Sequence, residues 1–175
     1  YLSLIYNKIG SEGAIYLAEA LKINRSLKHL NLSGNEIKPN GACSLAKALE
    51  TNPELTKLYL WNNVIGDAGA IAIAEALKTN TSLTKLNLAN GYVESKGAIA
   101  IAEALTINST LTSLDLGLNN IGDHSQTTIE KELEINSQIY WFEQEYKKQY
   151  IFLLMHLNRI VDNSRNISHG KQLII

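Results

Sequence analysis

The sequence predicts an α/β solenoid, in which short parallel strands line a concave inner face and helices line a convex outer face. One observation is a phrase of 28 residues that starts at Leu27 and restarts at Leu55, Leu83 and Leu111. Two more are the hydrophobic periods inside each phrase, one typical of a strand and one typical of a helix. A fixed internal period of this length indicates a repeat array and not a closed globular core.

The front of each phrase is predicted to be a short strand. Leucine alternates with other residues in HLNL and its equivalents, and such alternation buries one face of a strand. The alternating leucines are Leu30 and Leu32, Leu58 and Leu60, Leu86 and Leu88, and Leu114 and Leu116. The residues between these leucines are therefore expected to point out of the core.

The rear of each phrase is predicted to be a helix. Ala42, Leu45, Ala46 and Leu49 recur at helical spacing, and the next two phrases repeat that pattern. A strand and a helix of this length cannot close a core alone, so successive units must stack. Parallel strands pair about 4.8 Å apart, whereas packed helices need roughly 8–10 Å between axes. The stack must therefore curve, with its strands on the inside.

The complete frame, LxxLxLxxNxIxxxGAxxLAxALxxN, resembles the leucine-rich repeats of the ribonuclease-inhibitor class. That class also occurs in the sensing arms of NOD-like receptors and in Ran GTPase-activating proteins. The resemblance covers residues 1–136. It implies a leucine-rich repeat solenoid, a right-handed horseshoe with parallel strands on the concave face and helices on the convex face.

Two series of asparagines recur in the frame. Asparagine follows the strand at Asn7, Asn35, Asn63 and Asn119, and the resemblance implies that these side chains bond to the backbone of neighbouring units. Gly91 takes that place in the phrase that starts at Leu83, which predicts either a remodelled turn or a gap in the series. A second series follows the helices, where we expect asparagine because it tolerates left-handed backbone; it comprises Asn24, Asn52, Asn80, Asn108 and Asn136.

The chain divides into repeats over residues 1–136 and a C-terminal segment over residues 137–175. The repeats comprise one partial unit followed by units that start at 27, 55, 83 and 111. Glu130 stands where earlier units carry a small alanine, and a carboxylate under another helix would be costly, so the stack is expected to end there. We predict a helical cap from about residue 142 to 162, followed by a tail. No polar capping segment precedes the first unit, which favours a fragment of a longer protein.

The composition limits the classes of partner, the compartment and the cofactors that we expect. A net charge of -1 gives no electrostatic reason to expect nucleic acid or an acidic membrane surface as a partner. Cys43 is the only cysteine and cannot form an internal disulfide, which favours a reducing compartment. We therefore expect a cytoplasmic protein, and delivery into a host cell is compatible with that location. No cofactor and no metal site are expected, because His29, His124, His156 and His169 share no metal-ligand spacing.

The predicted function is a protein–protein interaction scaffold that binds a protein partner on its concave face. No catalytic residue and no small-molecule substrate is indicated. Aromatic residues, which are enriched at binding hot spots, stand among the outward-pointing positions. The predicted partner-binding residues are Tyr6, His29, Asn31, Lys57, Tyr59, Trp61, Lys85, Asn87 and Asp115. Two alternatives stay open at this point: a GTPase-activating regulator of the Ran GTPase-activating type, and an oligomerising structural module.

Overall fold

The α/β solenoid predicted from the sequence is confirmed. The computed structural model describes residues 1–122, 140–145 and 148–151. Strand and helix alternate along the repeats, as the two hydrophobic periods require. In chain order the elements are β1 (Leu2–Ser3), α1 (Gly10–Ile23), β2 (His29–Asn31), α2 (Pro39–Thr51), β3 (Lys57–Tyr59), α3 (Gly66–Leu77), β4 (Lys85–Asn87), α4 (Ser95–Leu105), β5 (Ser113–Asp115), β6 (Tyr140–Glu145) and β7 (Lys148–Ile151).

The first five strands form a parallel sheet in a constant register. Leu30 pairs with Leu58, Leu58 with Leu86, and Leu86 with Leu114. Each partner therefore lies one 28-residue unit further along the chain. Because the register never slips between β2 and β5, residues at the same place in successive units stand side by side in columns across the sheet.

The core lies between the sheet and the helices. The strand leucines Leu30, Leu58, Leu86 and Leu114 are all 0% exposed, as are the helix residues Ala42 and Leu45 and their counterparts in α3 and α4. The glycine at the start of a helix allows adjacent helices to approach closely. A Cβ at Gly69 would lie 2.8 Å from the Cβ of Ala42, closer than two carbon atoms can approach without displacement.

The asparagines that follow the strands connect adjacent units, as the resemblance implied. Asn35 Oδ1 accepts the backbone amides of Asn7 at 2.9 Å and Ile9 at 3.2 Å, both in the preceding unit. Asn119 makes the equivalent bonds to Gly91 and Val93. Gly91 has no side chain to do the same, so the series has a gap at this unit. Asn90 does not fill the gap, since its Nδ2 donates instead to Asn62 Oδ1 at 2.8 Å.

The asparagines that follow the helices work differently from the prediction. Asn24 and Asn52 have φ values of -74° and -91° with extended ψ, so the left-handed backbone expected there is wrong. These asparagines contribute to the fold through the hydrogen bonds of their side chains. Asn52 Nδ2 donates to the carbonyls of Leu21 at 2.6 Å and Asn24 at 3.1 Å in the preceding unit, and its Oδ1 accepts the amide of Leu55. Asparagine thereby satisfies backbone groups that the end of a helix leaves without partners.

The predicted cap helix is wrong for the residues described. Residues 140–145 and 148–151 are strands, and β6 continues the sheet parallel to β5 while β7 pairs antiparallel with β6. β5 would otherwise leave an open edge of backbone donors and acceptors, and the aromatic run that begins at Tyr140 has high strand propensity. Trp141 pairs with Leu114, a spacing of 27 and not 28 residues. Glu130 and the remainder of the predicted cap lie outside the described residues.

Among the helices of residues 1–122, none combines the length and the apolar character that crossing a membrane requires.

Candidate functional site

The concave face carries its side chains in columns, one residue from each unit. One column contains His29, Lys57, Lys85 and Ser113, and the next contains Asn31, Tyr59, Asn87 and Asp115. All eight residues are half-buried, while the leucines between them are buried. The structure thus places the predicted site residues from β2 to β5 on one continuous surface.

Tyr6 and Trp61 meet although they come from units that are not adjacent. Their rings lie edge to face, with centroids 6.1 Å apart and planes at 88°. The Tyr6 ring reaches Trp61 by lying directly across Gly34, where a Cβ would overlap the ring. Glycine at position 34 is therefore what allows the first unit to contact the third. An edge-to-face pair of this kind holds both rings in a fixed orientation.

A basic column flanks the aromatic residues. Lys85 Nζ lies 5.8 Å from the centre of the Tyr59 ring, at the distance of a cation–π contact. Within residues 1–122, neither Lys57 nor Lys85 has an ion-pair partner. Partial desolvation and the adjacent Lys57 charge both lower the pKa of the His29 imidazole. The neutral imidazole is therefore favoured, and the two lysines supply most of the positive charge of this column.

The side chains of three predicted site residues already form hydrogen bonds within the protein. The side-chain oxygens of Asn31, Asn87 and Asp115 each accept the backbone amide of the residue two places later, at 3.0 Å. Asn87 Nδ2 also donates to Asp115 Oδ2 at 2.9 Å. Desolvation raises the pKa of the Asp115 carboxyl, against the opposing effects of these hydrogen bonds and of the Lys85 charge. These side chains stabilise the backbone at the end of each strand. Some of their hydrogen-bonding atoms are therefore already occupied and are not available to a partner.

The rim of the horseshoe, just beyond the ends of the strands, carries exposed residues that the sequence did not single out. Tyr92 is 67% exposed and Val64 is 41% exposed. Glu36 is also exposed and, within residues 1–122, has no ion-pair or hydrogen-bond partner. Glu36, Val64 and Tyr92 share one place in the frame, directly after the asparagine position. That shared place is the signal by which they could have been found.

The described residues contain no group of three or more His, Cys, Asp and Glu side chains placed to hold a metal ion.

The surface built by Tyr6, Tyr59, Trp61, Lys57 and Lys85 offers aromatic faces and positive charge. We call these five residues the concave patch. Rigid aromatic side chains beside unpaired cations are suited to contact with another protein.

The sequence matches the family model described as Leucine Rich repeat over residues 1–18, 24–46, 51–74, 79–102 and 108–124. A search of curated proteins found none that matches.

Among solved structures, the fold is similar to one titled Leiomodin-1 Actin-Binding Site 2, with a TM-score of 0.69 and 28% sequence identity. That alignment covers 86% of this chain and 87% of the other. The tropomodulin C-terminal domain of Caenorhabditis elegans is also similar, with a TM-score of 0.68 and 15% identity, over 90% of this chain and 98% of that one. At that identity, the second similarity concerns the fold alone.

Proposed function

The chain belongs to the Leucine Rich repeat family, and from this premise we propose that it holds a protein partner against its concave patch and performs no catalysis itself. The contact between Tyr6 and Trp61 carries the proposal. It fixes two large aromatic side chains on the concave face before any partner arrives. Side chains that are already ordered lose less conformational entropy on binding, so more of the contact energy appears as affinity.

The charge of the concave patch indicates the kind of surface it fits. Lys57 and Lys85 are unpaired within residues 1–122 and lie in adjacent strands. A partner with acidic groups around an apolar centre would place those groups on the lysines and its apolar centre on Trp61. Salt screens such exposed charges, so they contribute more to the rate of association than to its strength.

Actin is the first partner to test. The support for this choice is the similarity to Leiomodin-1 Actin-Binding Site 2, whose sequence is 28% identical over most of both chains. Sedimentation with actin filaments and a binding titration with monomeric actin would test the two forms of actin separately. Binding that is lost in Trp61→Ala supports actin as the partner. No binding to either form excludes actin and leaves the concave-face proposal to be tested with other proteins.

The proposal itself is tested by affinity capture with matched variants. The wild-type chain, Trp61→Ala and the convex-face control Glu50→Gln are each used to capture proteins from an extract of the source organism. Glu50 is exposed on α2, away from the concave patch. At least one protein should be retained by the wild type and by Glu50→Gln and lost with Trp61→Ala. If all three chains retain the same proteins in the same amounts, the concave patch is not the binding surface.

Three finer predictions remain. Membership of the ribonuclease-inhibitor class is supported by the 28-residue units that start at Leu27, Leu55 and Leu83, each of which contains a helix. A GTPase-activating role is tested by measuring GTP hydrolysis of a Ran-type GTPase with and without the chain. An oligomerising role is tested by sedimentation velocity, which should give the mass of a monomer if binding to other proteins is the function.

A further inference from the structure

A cleft of about 260 Å³ opens at the rim, next to the concave patch. We call it the rim cleft. Its lining comes from the first four units and includes Tyr6, Gly34, Glu36, Asn62, Val64 and Tyr92. Tyr6 belongs both to the rim cleft and to the concave patch, because its ring contacts Trp61 and also forms part of the cleft lining. The two surfaces are therefore continuous.

Gly34 and four other residues that line the rim cleft have left-handed backbone. The φ values are 56° for Tyr6, 57° for Glu36, 54° for Asn62 and 56° for Tyr92. Asparagine adopts this conformation readily, but for a bulky side chain it is uncommon. The unit that contains Gly34 has glycine in the column of Tyr6 and Asn62, which shows that a residue better suited to the conformation fits there. Asn90 and Leu118, in the same column as Tyr6 but outside the cleft lining, share this conformation, so it belongs to the turn of each unit.

The rim cleft combines aromatic faces with a free carboxylate. Tyr6 and Tyr92 are 61% and 67% exposed, so the Tyr92 ring and the face of the Tyr6 ring away from Gly34 are available to a ligand. The Glu36 carboxylate has no partner within residues 1–122, and Lys8, which stands one unit earlier in the same column, forms no ion pair with it. Aromatic rings and an unpaired carboxylate together select an organic cation.

An arginine fits this lining better than a lysine does. A guanidinium group is planar, so it stacks on a tyrosine ring while its edge donates two parallel hydrogen bonds to a carboxylate. A lysine ammonium is a compact and strongly hydrated charge that cannot do both. The apolar side chain of Val64, which is 41% exposed, offers a surface for the methylene groups of the arginine.

We propose that the rim cleft binds an arginine side chain of the protein that docks on the concave patch, with the guanidinium held by the Glu36 carboxylate and the rings of Tyr6 and Tyr92. This inference rests on the proposed function, since the arginine belongs to the partner. It assigns the partner a specific chemistry: an exposed arginine at the edge of the surface that meets Trp61.

The test uses the arginine side chain alone as the probe. N-acetyl-arginine-N-methylamide is titrated into the isotopically labelled chain, and the amide signals of Glu36, Asn62 and Tyr92 are followed by NMR. The matched control probe is the citrulline analogue, which keeps the shape but carries no charge. We expect saturable shifts with the arginine probe and about tenfold weaker binding with the citrulline probe.

Two variants separate binding from folding. Glu36→Gln keeps the size of the side chain and removes its charge, and we expect about threefold weaker probe binding. Tyr92→Asn removes an aromatic face and places a residue suited to left-handed backbone there, so about threefold weaker binding should accompany a melting temperature at or above that of the wild type. The control Glu50→Gln should bind the probe as the wild type does. A purely structural role for Tyr92 would leave probe binding unchanged.

The outcomes distinguish this inference from the proposed function. If the shifts do not saturate, if both probes bind equally, or if Glu36→Gln and Tyr92→Asn bind as the wild type, the arginine site is wrong. The arginine site would be wrong even if affinity capture showed that Trp61→Ala loses a protein that the wild type retains. If the arginine probe binds as expected while Trp61→Ala captures the same proteins as the wild type, the cation site stands and the concave-face proposal fails.

Discussion

Asn63 Oδ1 accepts the backbone amide of Asn35 at 3.1 Å and the amide of Ile37 at 2.9 Å, so one side chain holds the turn of the preceding unit. Its Nδ2 donates to the carbonyls of Leu32 at 3.0 Å and Leu60 at 2.9 Å. Asn35 and Asn63 are both buried. A single amide thus satisfies four backbone groups that water does not reach, and it does so in two units at once.

Asn63→Ala should therefore destabilise the chain strongly. The change leaves buried amides and carbonyls without partners, at about 1–3 kcal/mol for each unsatisfied group, and we expect a total loss of about 3 kcal/mol. Equilibrium unfolding in urea measures the loss. Asn40→Ala, at an exposed site in the first turn of α2, is the control and should change stability by less than about 0.5 kcal/mol. Equal midpoints for the two variants would contradict the structural role of Asn63.

Leu86→Ala should open a cavity in the core. Leu86 is 0% exposed and lies in the middle of β4. Removing its side chain should cost about 2–5 kcal/mol in the free energy of unfolding. Ile23 is 82% exposed at the end of α1, and Ile23→Ala is a matched control that removes apolar atoms from the surface. A loss below about 0.5 kcal/mol for Leu86→Ala would show that the assigned strand register is wrong.

Trp61→Ala should separate binding from folding. Trp61 is half-buried and contacts Tyr6, so its removal should cost about 1 kcal/mol of stability at most. For an identified partner, binding should weaken by about 2 kcal/mol or more, the loss that defines a hot spot. Calorimetric titration measures the second quantity and thermal unfolding the first. Unchanged affinity, or complete unfolding of the variant, would show that Trp61 is not a binding residue.

Asp115 should make stability depend on pH. Its pKa is raised by desolvation, so as pH falls the folded chain takes up this proton before the unfolded chain does. The associated stability is fully present below the ordinary carboxyl pKa and is lost as pH rises through the raised pKa of the folded state. The wild type should therefore gain stability relative to Asp115→Asn when the pH is lowered from about 7 to about 4.

The variant Asp115→Asn is a suitable reference because the structure already uses asparagine in this column. Asn31 and Asn87 make the same hydrogen bond to the backbone two residues later. Unfolding in urea at several pH values gives the difference in stability between the two chains. A difference that stays constant over the whole range would mean that the Asp115 carboxyl has an ordinary pKa in the folded chain.

The fold could be predicted from the sequence because each unit repeats the same hydrophobic pattern. The alternation of Leu58 and Leu60 fixes which way Tyr59 and Trp61 point, and the 28-residue spacing fixes the register of β3 with β4. The strand at Tyr140 was not predicted, because the helical spacing of later apolar residues favoured a helix. What decided the outcome there was the open edge of β5, a feature of the assembled sheet and not of the local sequence.

The periodicity places Glu36, Val64 and Tyr92 at one position of the rim, but it does not predict that a cleft opens beside them. It depends on Tyr6 reaching across Gly34 to Trp61, and the separation of Tyr6 and Trp61 is not a whole number of units. It also depends on left-handed backbone at Glu36 and Tyr92, where the residue types give no warning. Strand alternation predicts the direction of a side chain within the sheet, but it does not extend to the turns that follow.

Gly91 leaves the joint between the units that start at Leu55 and Leu83 without the asparagine that holds the turn at the other joints. The amides of Ile9, Ile37 and Val93 each bond to an asparagine side chain of the next unit. The equivalent amide of Ile65 faces Gly91, and within residues 1–122 it has no such acceptor. Local opening of the turn at Ile65 should therefore cost less free energy than opening of the equivalent turns in the other units. Hydrogen exchange should be fastest at Ile65 among these four amides.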